Sequence, residues 1–192
     1  MISETFSEDV FIADFTEYQG RPDAEPVAFK GVVVLSEENG VIPSFVVHNE
    51  NKFPFRVVNN EHNPAVFTRP DGTKVSQCEC ILYADRNDKR KGWMLFLELK
   101  YCKAKNLYSN MLEGMRQLKA TCKYILEEKK EYDGSMFKKY LVISTPGVEP
   151  LDPFDASYFD PNDILTLKEE TGALLKAFNN AWIKTPAVII FK

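Results

Sequence analysis

Histidine is nearly absent from this chain: His48 and His62 are the only two in 192 residues. A His-rich zinc site or a two-histidine relay would use every one of them, so histidine-based chemistry has little room. Long apolar runs are missing too. Trp93–Leu97 and Pro186–Phe191 are the longest nearly apolar stretches, far short of the roughly 20 residues that cross a bilayer as a helix. The opening Met1-Ile-Ser-Glu-Thr-Phe-Ser-Glu-Asp9 is acidic, with no basic segment leading into an apolar one, so no signal peptide is expected. Cys78, Cys80, Cys102 and Cys122 fall at no disulfide-framework spacing, which suits a reducing compartment. These absences predict a cytoplasmic protein. Repeats, low-complexity tracts and long linkers are lacking as well.

What is present describes a folded domain. Hydrophobic residues make up 44% of the chain, phenylalanine alone fills 14 positions, and 27% of residues are charged. That composition excludes disordered and collagen-like classes. The length is that of one domain, large enough to fold without disulfides or a structural metal. The net charge of -4 argues against a surface coated with nucleic-acid contacts, but leaves room for a local basic patch.

Along the chain, Phe6, Val10, Ile12 and Phe15 form a short amphipathic piece that Gly20-Arg21-Pro22-Asp23 and Pro26 interrupt. Val27–Leu35, Phe45–His48 and Phe55–Val58 read as strands, with a turn at Glu38-Asn39-Gly40. Ala65–Arg69 and Thr73–Tyr83 read as strands around Pro70-Asp71-Gly72, in which proline presets φ and glycine supplies the open conformation. Asp85–Gly92 is a charged loop. Trp93–Lys100 is apolar on both faces until its end, the mark of a central buried strand. Asn106 can cap a helix over Leu107–Lys130, with Tyr108, Met111, Leu112, Met115, Leu118, Cys122, Ile125 and Leu126 on one stripe. Lys139–Ser144 reads as a strand, residues 148–161 as a Pro/Asp-rich loop, Asp163–Trp182 as a helix and Ala187–Phe191 as a terminal strand. The fold class is α/β in one domain: a β-rich elaboration over residues 1–64, then a core over 65–192 with a mixed central sheet flanked by helices.

One constellation carries chemistry. Strand alternation puts Glu98 and Lys100 on one face at the end of the buried strand. Antiparallel pairing through the 85–92 loop brings Glu79 beside Glu98 at the sheet's edge. Two adjacent carboxylates repel, and a hard cation such as Mg²⁺ or Mn²⁺ relieves that repulsion with oxygen ligands. The Leu99 carbonyl would add another oxygen. A metal there can polarise a phosphoryl oxygen and acidify a bound water, and Lys100 can orient that water or stabilise charge on the phosphorus. The acidic-x-Lys triplet alone is weak evidence, because about two or three arise by chance at this composition. Glu98-Leu99-Lys100 stands apart because it follows five apolar residues in a strand. A structural ion pair is the plain alternative for it.

Here the chain resembles the PD-(D/E)XK nuclease superfamily, over roughly Ala65–Ser144. Ser76-Gln-Cys-Glu79-Cys-Ile-Leu82 is similar to the strand bearing the family's first acidic residue. Trp93-Met-Leu-Phe-Leu-Glu98-Leu-Lys100 is similar to the strand bearing its (D/E)xK element. The helix with Gln117-Leu118 resembles the one that supplies a polar residue to the site in several branches. The resemblance implies a restriction-endonuclease-like fold and Mg²⁺- or Mn²⁺-dependent hydrolysis of phosphodiesters in nucleic acid, DNA foremost. Glu79 and Glu98 would bind metal, and Glu79, Glu98, Lys100 and Gln117 would be the catalytic set. A domain of this kind that cuts both strands of a duplex commonly acts as a homodimer. Two departures stand out. Glu79 occupies a position where the family usually has Asp. The glutamate that some members contribute from an N-terminal helix has only Glu17 and Glu61 as candidates.

Arg86, Lys89, Arg90 and Lys91 form a basic loop, and Lys103, Lys105, Arg116, Lys119 and Lys123 follow the motif; together they could line a phosphate-backbone groove. A charged hairpin tip and a solvated helix face explain the same residues. Gln117 has the reading of an exposed helix residue. Cys78 and Cys80 read as buried cysteines on one strand face, since zinc would need two more suitably spaced ligands. The rival to the nuclease is a catalytically degenerate domain on the same scaffold, serving as a nucleic-acid-binding or protein-interaction module. A chance motif on an unrelated α/β domain would leave Glu79 and Glu98 far apart.

Overall fold

The structure is a computed structural model that describes residues 1–21, 24–85, 91–148 and 159–192. In chain order the elements are β1 (Glu4–Phe6), β2 (Val10–Asp14), α1 (Phe15–Gln19), β3 (Val32–Leu35), β4 (Phe45–His48), β5 (Phe55–Asn59), β6 (Cys80–Ala84) and β7 (Gly92–Leu99). They continue with α2 (Leu107–Lys123), β8 (Phe137–Ser144), α3 (Pro161–Thr171), β9 (Ala173–Ala177), β10 (Asn180–Thr185) and β11 (Val188–Phe191). The strands form two mixed sheets. The larger has the order β1-β5-β6-β7-β8-β9 and the smaller β11-β10-β4-β2-β3. The larger sheet therefore draws strands from both sides of residue 65. No helix among the described residues is long and apolar enough to cross a membrane.

Three layers result: the five-stranded sheet, the six-stranded sheet, and helices α2 and α3. Strand β7 shows why they stack. All eight of its residues are buried. Trp93, Leu95, Leu97 and Leu99 pack with Val10, Ile12, Phe45 and Val47 of the smaller sheet. Met94 and Phe96 point the other way, against Met111, Leu118 and Ile125 of the helical layer. Each such large side chain contributes about 2 kcal/mol of burial, so a strand apolar on both faces belongs between two layers.

The connections set which strand ends meet. Strands β5, β6 and β7 form an antiparallel meander. Helix α2 then carries the chain back so that β8 runs parallel to β7, and α3 does the same for β9 beside β8. Parallel neighbours need a crossover of this length. The carboxyl ends of β7, β8 and β9 consequently lie side by side, along with the start of β6.

Several expectations are corrected. The helix expected over Asp163–Trp182 ends at Thr171. Gly172 takes a left-handed conformation (φ 63°), and its N–H donates to Lys168 O at 2.8 Å. Beyond it Ala173, Leu175 and Ala177 alternate inward as strand β9 rather than along a helical stripe. Ala65–Arg69 is turn rather than strand, and only one bridge, Thr68 to Lys74, spans the Pro70-Asp71-Gly72 turn. That turn forms as expected, with Gly72 at φ 84° and Asp71 Oδ1 accepting from Thr73 N–H at 2.9 Å. Strand β6 starts only at Cys80. Cys78 therefore packs with the helical layer and Cys80 with the sheet layer, not on one face. Helix α2 continues through a π-helical segment, Tyr124–Glu128, and Tyr108 on it is exposed rather than in the apolar stripe. The N-terminal piece is two strands and a short helix, not one amphipathic element. Arg86, Lys89 and Arg90, and most of the 148–161 loop, lie outside the described residues.

Candidate active site

The β6–β7 register pairs Cys80 with Leu97 and Ile81 with Phe96, so one step further Glu79 comes opposite Glu98. Glu98 is wholly buried, and Lys100 is nearly so. Lys100 Nζ stands 2.8 Å from Glu98 Oε1. The Lys100 amide donates to Ser144 O at 2.8 Å, which extends the β7–β8 ladder past Leu99 and fixes where the lysine emerges. Glu79 is partly exposed as a residue, but its carboxylate turns inward. Its Oε2 accepts from Leu99 N–H at 3.1 Å. Leu99 thus enters the site through its amide. Glu79 and Glu98 are neighbours at this end of the ladder, and the Glu98 charge adds to the burial that raises the Glu79 carboxyl. Glu98 Oε2 is buried and meets no hydrogen-bond donor, an arrangement that costs free energy unless a proton or cation resolves it.

A third carboxylate arrives from the N-terminal layer. Asp14 caps α1, its Oδ1 accepting from Thr16 N–H at 2.8 Å and Glu17 N–H at 3.0 Å. This puts Glu17 in the first turn, where Oε1 lies 3.9 Å from Lys100 Nζ. The two sequence candidates are thereby separated. Glu61 Oε2 accepts from Val32 N–H at 2.8 Å and holds β3 in place, whereas Glu17 faces the motif lysine. The signal for this was in the chain: Asp14-Phe-Thr-Glu17 directly after an apolar strand has the spacing of a capping box.

Helix α2 closes the other side. Gly114 packs on Glu98, where an added Cβ would come within 3.2 Å of Glu98 Cγ. Glycine at that position is what lets the helix cover the carboxylate. Gln117 stands one turn further on, half-buried, with Oε1 buried and lacking a hydrogen-bond partner.

The electrostatics follow from burial. Desolvation pushes the Glu79 carboxyl well above its ordinary range, and the neighbouring Glu98 charge pushes it further. Glu98 is raised as well, by burial first, though Glu79 and Lys100 both pull it back. Burial alone would lower Lys100, but Glu98, Glu79 and Glu17 outweigh it and hold the ammonium above its usual range. Glu17 is raised by burial and by Asp14, against the pull of Lys100. Three carboxylates and one ammonium share this pocket, so its charge balance favours uptake of protons or a cation.

The basic residues divide. Lys91 precedes the first residue of β7, so it lies roughly 23 Å from the Glu98 end at about 3.3 Å per residue. Lys91 stands at the opposite end of β7 from the carboxylates and cannot line a groove that contains them. Lys103 and Lys105 instead follow β7 and line a hollow shared with Glu17 and Tyr101. Arg116 pairs with Glu113 and Lys119 with Glu170 of α3, as a solvated helix face would. Cys78 and Cys80 are buried free thiols, both raised well above the usual range by that burial. Among the described residues, no group of three or more His, Cys, Asp and Glu side chains is gathered as a metal cage. No family model, curated protein or solved structure matches this chain.

Proposed function

We propose that this chain is a divalent-metal-dependent phosphodiesterase acting on nucleic acid, built on a restriction-endonuclease-like scaffold. The observation that carries the reading is the buried Glu79–Glu98 pair with Lys100 at the carboxyl end of β7. The antiparallel meander, the crossover helix and the parallel fourth strand support the scaffold. Glu98 Oε2, lacking any donor, and the adjacent Glu79 are a fitting donor set for Mg²⁺ or Mn²⁺. Mg²⁺ is commonly held by one or two carboxylates, with waters and substrate phosphate filling the rest. When bound, such an ion supplies Lewis acidity and an acidified water. Glu79 and Glu98 hold it. Lys100 sits beside both, where its ammonium orients the attacking water or stabilises charge developing on the phosphoryl oxygens. Glu98 holds that ammonium charged and in place, with Glu79 and Glu17 adding to its field.

The test is cleavage of DNA and RNA, single-stranded and duplex, with and without Mg²⁺ or Mn²⁺, for wild type beside Glu98→Ala. Metal-stimulated cleavage that falls by about 10³-fold in the variant, with circular dichroism unchanged, is expected. A variant that cleaves like wild type removes the site.

The second reading is a degenerate module without catalysis. Its specific support is that Lys100 and a shared proton can satisfy the carboxylates with no cation at all. It predicts no metal-dependent activity on any nucleic acid.

A further inference from the structure

Two hollows are lined by residues that neighbour the carboxylate pair along the chain. One, of about 400 Å³, is lined by residues that include Glu17, Tyr101, Lys105, Asn106 and Asn110. The other, of about 390 Å³, is lined by residues that include Lys74, Gln77 and Gln117. The chain itself links each to the site. Tyr101 follows Lys100 directly, and Glu17 reaches to 3.9 Å from Lys100 Nζ. Gln77 lies two residues before Glu79, and Gln117 lies one helical turn beyond Gly114, which packs on Glu98. Both hollows are within the size range of small-ligand sites, about 300–1,000 Å³, and each has an exposed lysine at its rim.

We propose that the substrate is a single-stranded nucleic acid, whose backbone enters by one hollow, crosses the carboxylate pair and leaves by the other. The inference rests on the phosphodiesterase reading. Depth of burial decides for one strand over two. Glu98 is 0% exposed and the Lys100 side chain 8%, so a scissile phosphate must reach below the surface to meet them. A duplex is stiff, with a persistence length of about 150 bp, and carries its phosphates on the outside of a paired cylinder. A single strand can turn one phosphate inward while its neighbours stay in the flanking hollows. The hollow linings fit that route. Lys74 and Lys105 suit adjacent phosphates. Asn106, Asn110, Gln77 and Gln117 carry amides that both donate and accept, as bases and sugars require. Gln117 Oε1, buried and unpartnered, is open to a donor from an incoming base or sugar.

The experiment is fluorescence anisotropy with a short labelled DNA strand, the matching RNA strand and the blunt DNA duplex. Ca²⁺ replaces Mg²⁺, and Lys74→Glu and Lys105→Glu are measured beside wild type. Both changes are on exposed lysines and leave the core alone. A single strand should bind at least about tenfold more tightly than the duplex. Each variant should weaken it and reduce the slope of log affinity against log salt by about 0.7. Duplex binding equal to or tighter than single-strand binding overturns the inference, as does single-strand binding that both variants leave unchanged. Failure of the parent reading is distinguishable. If Mg²⁺-dependent cleavage of duplex persists, only the substrate assignment falls. If no nucleic acid is bound or cut, both fall.

Discussion

The two halves of strand β7 are equally buried and chemically opposite. Trp93–Leu97 is apolar and fills both cores, each side chain adding to stability. Glu98 and Lys100, at the same depth, hold an ion pair, a carboxylate oxygen with no donor and a second carboxylate in contact. Burying apolar surface is favourable, whereas burying charge costs several kcal/mol per ion before pairing repays any of it. One strand thus contains the best and the worst of the packing energetics within a few residues. Destabilising groups that persist in a well-packed fold mark a site where the arrangement is used.

The comparison breaks most visibly if Lys100 is truncated. Lys100→Ala leaves Glu98 buried without its partner and should destabilise the fold by about 4 kcal/mol at pH 8. The Glu98 carboxyl is raised in the folded state, so it takes up a proton more readily there than when unfolded. The penalty should therefore shrink as pH falls toward 5, measured by urea denaturation at both pH values. At the apolar end, Leu95→Ala should cost about 3 kcal/mol through the cavity it leaves, with no such pH dependence. Equal pH profiles for the two variants would erase the distinction between the halves.

Glu79→Gln sharpens it in the other direction. The Glu79 carboxyl is raised well above its ordinary value. Its contribution to stability is therefore fully present below the unfolded value and lost as pH rises through the raised one. The amide mimics the protonated form, so without metal the variant should gain about 1 kcal/mol over wild type at pH 8 and almost nothing at pH 5. Thermal melts in a chelator would show it. The smallest effect belongs to the far end of β7. Lys91→Glu, about 23 Å from the carboxylates, should change stability by less than about 0.5 kcal/mol. It should also leave nucleic-acid affinity within about twofold of wild type, in contrast to Lys105→Glu.

Much of this layout was legible in the chain. The β7 pattern announced a two-faced strand, and alternation with a hairpin pairing placed Glu79 against Glu98. The 65–69 and 163–182 readings failed for local reasons. Around Pro70-Asp71-Gly72 the turn chemistry prevailed, but its flanks pair through the single Thr68–Lys74 bridge, too short to make strands of them. At Gly172 a left-handed residue ends the helix, and the Leu174-Leu175 pair fits a helical stripe and a buried strand equally well until that break is recognised. Glu17 could not be told from Glu61 because a five-residue helix carries no periodicity, although its cap spacing was visible. Of the basic-loop residues only Lys91 is described, and charge along the sequence says nothing about which end of a strand it decorates.

The most direct measurement is calorimetric titration of Mn²⁺ into wild type and Glu98→Ala at pH 8, with circular dichroism to check the variant's fold. The account predicts one binding event in wild type, accompanied by proton release, and its loss in the variant. Binding of equal strength in both proteins, or none in wild type even with a single-stranded oligonucleotide present, would contradict it.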